Sequence, residues 1–307
     1  MNLNSNYIKQ IEEIVGKDNI KTDEVMRKHT SFKVGGPADV MVYPVNFNMV
    51  KNLISFFKTN NINYYVMGNG SNLIIKDGGF RGVVINLTKL NEITVNDDTI
   101  IAQCGALLSL VARRALEKGL TDLEFAAGIP GSIGGAIAMN AGAYDGDMSK
   151  VVVSALVIDD NGEILELSRD ELQLSYRNSI VLNKGYVVLE TKLKLHHGDA
   201  EAIKAKMNDF AERRRSKQPL EYPSAGSTFK RPEGYFAGKL IQDAGLKGKS
   251  VGDAQVSEKH SGFIINKGNA TAREIMELIN VVQNTVFDMY GVELHTEVRI
   301  VGEDNNN

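Results

Sequence analysis

The chain has 307 residues, of which 24% are charged and 43% apolar, and its 35 lysines and arginines against 38 aspartates and glutamates give a net charge of −3. This balance, with one short basic run at 212–217, argues against nucleic-acid and membrane-surface partners. The polar, mixed-charge N-terminus resembles no signal peptide, and no apolar run approaches the ~18 residues that span a bilayer, so we expect a cytoplasmic protein without membrane insertion.

The length and the cysteine content narrow the class further. A chain of this size predicts two domains, or three small ones. Cys104 is the single cysteine, which excludes an internal disulfide and suits a reducing compartment. One thiol and five scattered histidines predict no metal site.

Apolar spacing predicts a mixture of helices and short strands up to residue 197. Helices are predicted at 50–57, with Val50, Leu53, Ile54 and Phe57 on one face, and near 107–119. Strands are predicted at 63–68 (buried), 82–87, 92–95, 99–105 and 186–197, with a hairpin over 151–167 that turns at 159–163. This region is therefore expected to be α+β.

The composition changes near residue 198, where we predict a domain boundary. A charged helix over 199–217 is predicted, with Ile203, Met207 and Phe210 on its apolar side. Further elements are a helix at 234–244, a strand near 262–266, a long helix opening with a Thr271/Glu274 capping box, and a strand at 293–302. The apolar stripe of the long helix is Ile275, Leu278, Ile279, Val282 and Val286. The polar tail 303–307 is expected to be disordered.

Glycine is concentrated in one part of the chain. Thirteen of the 29 glycines fall between Gly68 and Gly146. They include "GNGSN" (68–72), here called the first glycine loop, and "GIPGSIGGA" (128–136), the second glycine loop. Neither is the GxGxxG of a Rossmann unit or a Walker A loop. Either loop alone is equally compatible with tight packing of a helix on a sheet, but two together favour a long ligand with a central pyrophosphate.

Ser227 lies in the turn-like stretch "EYPSAGSTFKRPEG" (221–234), after Gly226 and between two prolines. Serines in such settings are usually turn formers or caps. No histidine or aspartate lies within several residues to remove a proton from its hydroxyl, so a nucleophilic serine is not indicated. The motif leaves open a turn residue or a hydroxyl with another chemical role.

Several motifs together resemble one family. In chain order they are "TSFKVGGPAD" (30–39), "GNGSN", "GIPGSIGGA", "MNAGAY" (139–144), "SYRNS" (175–179), "SKQPLEYPSAGSTFKRP" (216–232), "AGKLIQDAGLKG" (237–248) and "EVRIVG" (297–302). This order is similar to that of the UDP-N-acetylenolpyruvoylglucosamine reductases, flavoenzymes of bacterial peptidoglycan synthesis. The resemblance covers nearly the whole chain from Thr30 onward.

The resemblance implies an α+β fold with an FAD-binding domain of the vanillyl-alcohol-oxidase type in two subdomains, followed by a C-terminal α/β substrate-binding domain. We expect an N-terminal helical segment at 1–29, the FAD-binding domain at 30–198 and the substrate-binding domain at 199–302. The spacing after Tyr176 resembles the shorter, type II form of the family. The implied cofactor is non-covalent FAD, with NADPH as co-substrate and a UDP-sugar as substrate.

The resemblance also implies roles for individual residues. The catalytic residues would be Ser227, Arg177 and Glu297, with Arg177 and Glu297 on the substrate carboxylate. Residues expected to contact the cofactor are Gly68, Asn69, Gly70, Ser71, Asn72, Gly128, Ile129, Pro130, Gly131, Ser132, Gly134, Gly135 and Asn140. Those expected to contact the substrate are Tyr176, Lys217, Arg231 and His260. Arg231 departs from the family pattern, since some members carry asparagine there.

These roles fit the chemistry of reducing an enolpyruvyl ether. A serine can act as a general acid towards a carbanion-like centre without a neighbouring base. An arginine offers a permanent forked cation to a carboxylate. Glu297 would help only if it is protonated or pairs with the arginine, because a bare carboxylate repels the intermediate. Strand alternation would set Glu297 and Arg299 on the face opposite Val298 and Ile300.

Two other classes remain open from sequence. One is an FAD oxidase of the same superfamily, acting on an alcohol or sugar. The glycine-rich region 68–146 holds Cys104 but no histidine, which disfavours the covalent flavin attachment common in such oxidases. The other is a non-enzymatic flavin- or nucleotide-binding regulator, in which the motifs around Arg177, Ser227 and Glu297 would be coincidental.

Overall fold

The structure is a computed structural model that describes residues 3–144 and 146–305. The helices are α1 (Ser5–Val15), α2 (Phe47–Thr59), α3 (Leu108–Glu117), α4 (Ile133–Ala138), α5 (Ile180–Lys184), α6 (Ala200–Lys217), α7 (Ala237–Asp243) and α8 (Ala272–Tyr290). Strands β1 to β9 are Ile20–Val25, Pro37–Val42, Tyr64–Met67, Leu73–Ile75, Phe80–Asn86, Ile93–Asn96, Thr99–Gln103, Leu120–Thr121 and Gly142–Ala143. Strands β10 to β18 are Gly146–Asp147, Val152–Ile158, Ile164–Ser168, Val187–Lys194, His196–His197, Ser250–Val251, Ala254–Val256, Ile264–Asn266 and Arg299–Val301.

A four-stranded sheet of order β1-β2-β5-β3 forms the first layer. Strands β2, β5 and β3 are parallel, and β1 is antiparallel to β2. Helix α2 confirms the prediction for 50–57, and the four apolar residues named for its inner face are buried. The prediction of a buried strand at 63–68 is wrong in its burial, because β3 is an edge strand and only its last residue, Met67, is buried.

The N-terminal segment 1–29 is α-helical only in its first half, and a short 3-10 turn at Met26–Lys28 closes it. Helix α1 is followed by strand β1, which pairs with β2 along most of its length. Residues 1 and 2 lie outside the described residues.

A five-stranded antiparallel sheet of order β12-β11-β13-β7-β6 forms the second layer. The predicted hairpin is confirmed: β11 pairs with β12 in register. Its turn is held by Asp159, whose Oδ1 accepts hydrogen bonds from the backbone N–H groups of Asn161 and Glu163, each at 2.8 Å. Helices α3 and α4 pack against this sheet, so the end of the second glycine loop lies at its surface.

The C-terminal region has its own small sheet, β15-β16-β17, covered by α8. The Thr271/Glu274 capping box of α8 is confirmed, and all five residues of its predicted apolar stripe are buried. The predicted helices at 199–217 and 234–244 correspond to α6 and α7. The core under α8 also takes in Phe32, Val34 and Ile74 from the N-terminal half of the chain. The boundary near 198 stays a prediction.

The end of the chain differs most from expectation. Only Arg299–Val301 of the predicted strand 293–302 is extended in a ladder, and it pairs in parallel with β4. The predicted alternation is wrong at Ile300, which is 39% exposed, because the segment before β18 leaves the strand geometry. Disorder from 303 onward is also wrong at its start, since Glu303 exchanges backbone hydrogen bonds with Gly78 and Gly79, each at 2.9 Å. Residues 306 and 307 lie outside the described residues.

Candidate active site

The two glycine loops lie against each other. Asn69 Nδ2 donates to the carbonyl of Pro130 at 2.6 Å. A β-carbon at Gly68 would collide with Oγ of Ser132. The sequence predicts both loops in one compact region, and the fold brings them into direct contact although about 60 residues separate them.

The first glycine loop presents unused backbone donors. Among the described residues, no acceptor receives the N–H groups of Asn69, Gly70 or Ser71. Gly70 has φ +63°, and its carbonyl accepts the N–H of Ser31 at 3.0 Å, which fixes the loop from behind. Consecutive free N–H groups in such a loop form an anion-binding concavity. This loop therefore fits the pyrophosphate of a dinucleotide.

The glycines of the second loop divide into two kinds. Gly135 is exposed, and a β-carbon there would meet only Ser132 Oγ, at 3.8 Å. A β-carbon at Gly134 would lie 2.9 Å from Cβ of Cys104. Gly134 is therefore required by packing inside the protein, whereas Gly135 leaves its outer side open to a ligand.

The remaining residues of the second loop support neighbouring elements or face outward. The carbonyl of Gly131 accepts the N–H of Leu108 at 2.9 Å, which anchors the start of α3. The N–H of Ile129 donates to Ala126 at 3.0 Å, and Gly128 is exposed. The backbone groups of Gly131 and Ile129 are thus used in hydrogen bonds within the protein, whereas the exposed Gly128 can be approached by a ligand.

Two residues predicted to contact the cofactor use their side chains in hydrogen bonds to the protein. Asn72 Nδ2 donates to the backbone carbonyl of Glu297 at 3.1 Å. Asn140 is buried; its Oδ1 accepts the N–H of Ser149 at 3.0 Å and its Nδ2 donates to Ser175 at 3.2 Å. Both side chains position the segments that carry Arg177 and Glu297.

Arg177 and Glu297 form an ion pair. Arg177 Nε donates to Glu297 Oε1 at 2.6 Å, and their side chains are 21% and 15% exposed. Arg177 has φ +53°, a strained conformation for a bulky residue, and its Nη2 reaches the carbonyl of Gly142 at 3.3 Å. The pair therefore occupies a partly buried, closely fixed position, unlike an ordinary surface pair.

The pKa of Glu297 is raised above its usual range, because burial disfavours the charged carboxylate, while Arg177 and Lys230 oppose the shift. The sequence leaves two possibilities for this residue, protonation or pairing with the arginine. The structure gives the pairing, and the same burial holds its proton affinity high.

Ser227 is exposed, and its hydroxyl has no hydrogen bond to any described residue. The neighbouring Thr228 is buried and fixes this turn: its N–H donates to Gly262 at 2.9 Å and its carbonyl accepts the N–H of Glu297 at 2.8 Å. Ser227 is therefore one residue from the contact that anchors Glu297, and its side chain is free to act on a ligand. Since Thr228 performs the structural task, the reading of Ser227 as a turn-fixing hydroxyl loses its support.

Tyr176 and Arg231 join the same cluster. The backbone N–H of Arg231 donates to the Tyr176 hydroxyl at 3.1 Å, and the Arg177 guanidinium lies 5.2 Å from the centre of the Tyr176 ring. The Arg231 guanidinium stacks 3.9 Å from the ring centre of Phe236, which is 60% exposed. Phe236 was not identified from sequence, where an exposed aromatic residue at a helix start gives no signal.

His260 and Lys217 lie at different distances from this cluster. His260 packs edge-on against Phe263, 4.9 Å between ring centres, and its loop contacts Thr228 through Gly262. Burial lowers the pKa of His260, which favours its neutral form. Lys217 is exposed at the end of α6, and its ammonium group forms no hydrogen bond or ion pair with any described residue.

The only cysteine is inert. Cys104 is buried behind Gly134, and burial raises the pKa of its thiol to about 12. A thiol of this kind does not supply the thiolate that a covalent flavin link would require. Within residues 3–144 and 146–305, no group of three or more metal-ligating side chains could hold a metal ion, and the helices are all too short or too polar to cross a membrane.

Comparison with known proteins identifies the family. The sequence model of the FAD binding domain matches residues 38–168, and that of the C-terminal domain of UDP-N-acetylenolpyruvoylglucosamine reductase matches residues 218–301. The chain is 58% identical, over all 307 residues and the whole of both proteins, to the UDP-N-acetylenolpyruvoylglucosamine reductase of Clostridium tetani. It is 56% identical over 306 residues to the same reductase of Clostridium botulinum. The chain belongs to the UDP-N-acetylenolpyruvoylglucosamine reductase family.

Comparison with solved structures supports the same family assignment. UDP-N-acetylenolpyruvylglucosamine reductase from Thermus caldophilus matches with a TM-score of 0.79 and 33% identity, covering 92% of this chain and 99% of that one. The glucose dehydrogenase Phl p 4.0202, at 13% identity and a TM-score of 0.51 over 64% of this chain and 45% of that one, shares the fold alone. The predicted fold class is confirmed. The chain is an FAD-dependent oxidoreductase of peptidoglycan-precursor synthesis, and the reading as a non-enzymatic regulator is wrong.

Proposed function

We propose that this chain reduces the enolpyruvyl ether of UDP-N-acetylglucosamine enolpyruvate to UDP-N-acetylmuramate, with NADPH as the reductant, in the cytoplasm. The observation that carries the proposal is the Arg177–Glu297 pair, joined through Thr228 to the free hydroxyl of Ser227. An anion-binding group and a proton donor are what the reduction of a double bond conjugated to a carboxylate requires.

The glycine loops are suited to hold FAD. The free N–H groups of Asn69, Gly70 and Ser71 would bind its pyrophosphate, and the open side of Gly135 would allow the cofactor close to the backbone. When bound, the flavin supplies the hydride that the reduction consumes. The inert Cys104 and the lack of a histidine in residues 68–146 support non-covalent binding.

Arg177 would bind the carboxylate of the enolpyruvyl group. Its guanidinium is held on one side by Glu297 and by the carbonyls of Asn140 and Gly142, which fixes its orientation before substrate arrives. Pre-oriented donors stabilise developing charge without reorganisation. Glu297 acts through Arg177 in this scheme, as the residue that positions it.

Ser227 would donate the proton that completes the reaction. Its Oγ–H is not committed to another acceptor among the described residues. The inner carbon of the enolpyruvyl group becomes strongly basic as charge builds on it, so a hydroxyl is acidic enough to protonate it. The backbone hydrogen bonds of Thr228 keep Ser227 in place during this transfer.

The sugar nucleotide would be bound by the surrounding residues. Tyr176 adjoins the Arg177 side chain, Arg231 hydrogen-bonds Tyr176, and both would contact the diphosphate or sugar. His260, on a loop that contacts Thr228, would offer a neutral ring, and Lys217 an exposed positive charge. We further propose that NADPH and the sugar nucleotide use one cleft in turn, since no separate nicotinamide-binding unit is evident in the sequence.

We also propose the division into an FAD-binding domain at 30–198 and a substrate-binding domain at 199–302. The two family matches, at 38–168 and 218–301, fall within these bounds and support it. Contacts such as Asn72 to Glu297 would then cross from one domain to the other.

Turnover assays test the proposed function. NADPH oxidation that depends on the enolpyruvyl sugar nucleotide, with little oxygen consumption, is the expected result. Rapid oxygen consumption with an alcohol or sugar, and none of this dependence, would instead favour the oxidase class. Intersecting double-reciprocal plots would contradict the shared cleft.

A further inference from the structure

Lys230 lies beside Glu297 in the structure. Its backbone N–H donates to the carbonyl of His295 at 2.8 Å, and the N–H of Glu297 donates to the carbonyl of Thr228 at 2.8 Å. Between these two hydrogen bonds, Phe229 and Thr296 lie opposite each other as an antiparallel β-bridge. In this arrangement Lys230 and Glu297 are diagonal neighbours on the same face, within reach of a long side chain.

Among the described residues, the ammonium group of Lys230 has no hydrogen-bond or ion-pair partner, whereas the guanidinium of Arg177 has several. Arg177 is paired with Glu297 and donates towards two backbone carbonyls. Lys230 is half-buried, and its ammonium group forms no hydrogen bond or ion pair with any described residue. The three side chains together carry one net positive charge. The positive charge of Lys230 also opposes the burial that raises the pKa of Glu297, which agrees with their proximity.

We propose that Lys230 is a further catalytic residue, which binds the substrate carboxylate together with Arg177 and stabilises the charge that builds there. The inference rests on the proposed function. The double bond accepts a hydride at its terminal carbon and a proton from Ser227 at its inner carbon, and two C–H bonds replace the π bond. Between these transfers the electron pair spreads into the carboxylate, which gains negative charge. A cation not already neutralised by a glutamate is the group that this added charge requires.

The test compares two variants of the FAD-loaded enzyme, Lys230→Met and Lys230→Arg, with Lys118→Met as control. Lys118 is exposed at the end of α3, a helix that carries none of the residues assigned to the site. In Lys230→Met, reoxidation of the reduced enzyme by the sugar nucleotide should slow ~10²-fold, the effect of losing one charge-stabilising donor. Reduction by NADPH, flavin content and melting temperature should match the wild type. Lys230→Arg should recover much of the rate, because it keeps the charge.

Binding measurements separate the carboxylate from the diphosphate. UDP-N-acetylglucosamine carries the diphosphate but lacks the enolpyruvyl carboxylate, so its affinity should be the same for Lys230→Met and wild type. Equal weakening for both ligands would assign Lys230 to the diphosphate and overturn the proposal, as would an unslowed reoxidation. A wild-type enzyme that the enolpyruvyl sugar nucleotide fails to reoxidise would instead refute the proposed function itself.

Discussion

Nε of Arg177 lies 2.6 Å from Oε1 of Glu297, which follows it by 120 residues. The two side chains come from loops that the fold holds separately, one by Asn140 and the other by Asn72 and Thr228. Because each partner is fixed by its own hydrogen bonds, the pair is pre-oriented and does not rely on its mutual attraction alone. Its properties can be tested by pH, by substitution and by ligand binding.

The first prediction concerns pH and Glu297. Burial raises its pKa above the ordinary 4.5, so the folded chain binds this proton more tightly than the unfolded chain does. The stability it contributes is greatest at low pH and is lost as the pH rises through the folded pKa. The unfolding free energy of wild type minus that of Glu297→Gln should therefore fall as the pH rises from about 4. Urea denaturation at several pH values measures this difference in unfolding free energy. Glu293→Gln, at an exposed position, is the control. A difference independent of pH would contradict the raised pKa.

The second prediction concerns Ser227. In Ser227→Ala, reduction by NADPH should proceed at the normal rate, while reoxidation by the sugar nucleotide should slow by ~10⁴-fold, the upper end for loss of a general acid. Melting temperature and FAD content should hardly change, because the hydroxyl has no partner among the described residues. Flavin absorbance after rapid mixing measures the rates of both half-reactions, reduction by NADPH and reoxidation by the sugar nucleotide. Ser227→Cys should recover part of the loss, and Ser224→Ala, in the same segment, should react normally. Equal slowing of both halves would make Ser227 a structural residue.

The third prediction separates the two neighbouring glycines of α4. Gly135→Ala should fold normally without cofactor, because the added methyl meets only Ser132 Oγ at 3.8 Å, but it should lower FAD affinity by filling the open side. Gly134→Ala should lose stability even without cofactor, since its methyl would press on Cys104 at 2.9 Å. Flavin absorbance of purified protein and melting of the cofactor-free form measure these effects. Full flavin content in Gly135→Ala would remove the second loop from the cofactor site.

The fourth prediction concerns the start of α8. The two carboxylate oxygens of Asp77 accept the N–H groups of Ala272 and Arg273, each at 2.9 Å. Asp77→Ala leaves two helix donors without this acceptor and should cost about 1–2 kcal/mol of unfolding free energy. Chemical denaturation measures the loss. Asp288→Ala, at an exposed position of the same helix, should stay within about 0.5 kcal/mol of wild type.

The sequence predicts well those elements whose causes are local. The capping box at Thr271 and the stripe along α8 depend on spacings of three and four residues, and both are present. Of the strand predicted at 293–302, the structure has only Arg299–Val301 in a ladder; the hydrogen bonds that hold Glu297 to Thr228 and Asn72 are long-range, and no local pattern reveals them. The same limit applies to the site.

Residue types and motif order predict the members of the site, but they do not predict which of them hydrogen-bond the protein itself. The sequence predicts cofactor contacts for Asn72 and Asn140, and it does not reveal that their side chains hydrogen-bond other segments of the chain. The sequence does not single out Lys230, because only the structure shows that its ammonium group has no hydrogen-bond or ion-pair partner among the described residues. The sequence does contain one indication of Lys230: it lies three residues after Ser227, within the motif that carries the resemblance.

The pairing of β4 with β18 has a consequence for synthesis of the chain. Strand β4 follows the first glycine loop directly, yet its partner is Arg299–Val301, and Glu303 closes on Gly79 beyond it. Strand β18 is translated more than 200 residues after β4, and it must still leave the exit tunnel before the two strands can pair. Until β18 is available, the first glycine loop, which is proposed to bind the pyrophosphate, is followed by a strand that lacks this partner. We therefore expect the first glycine loop to capture the flavin stably only after β18 has paired with β4.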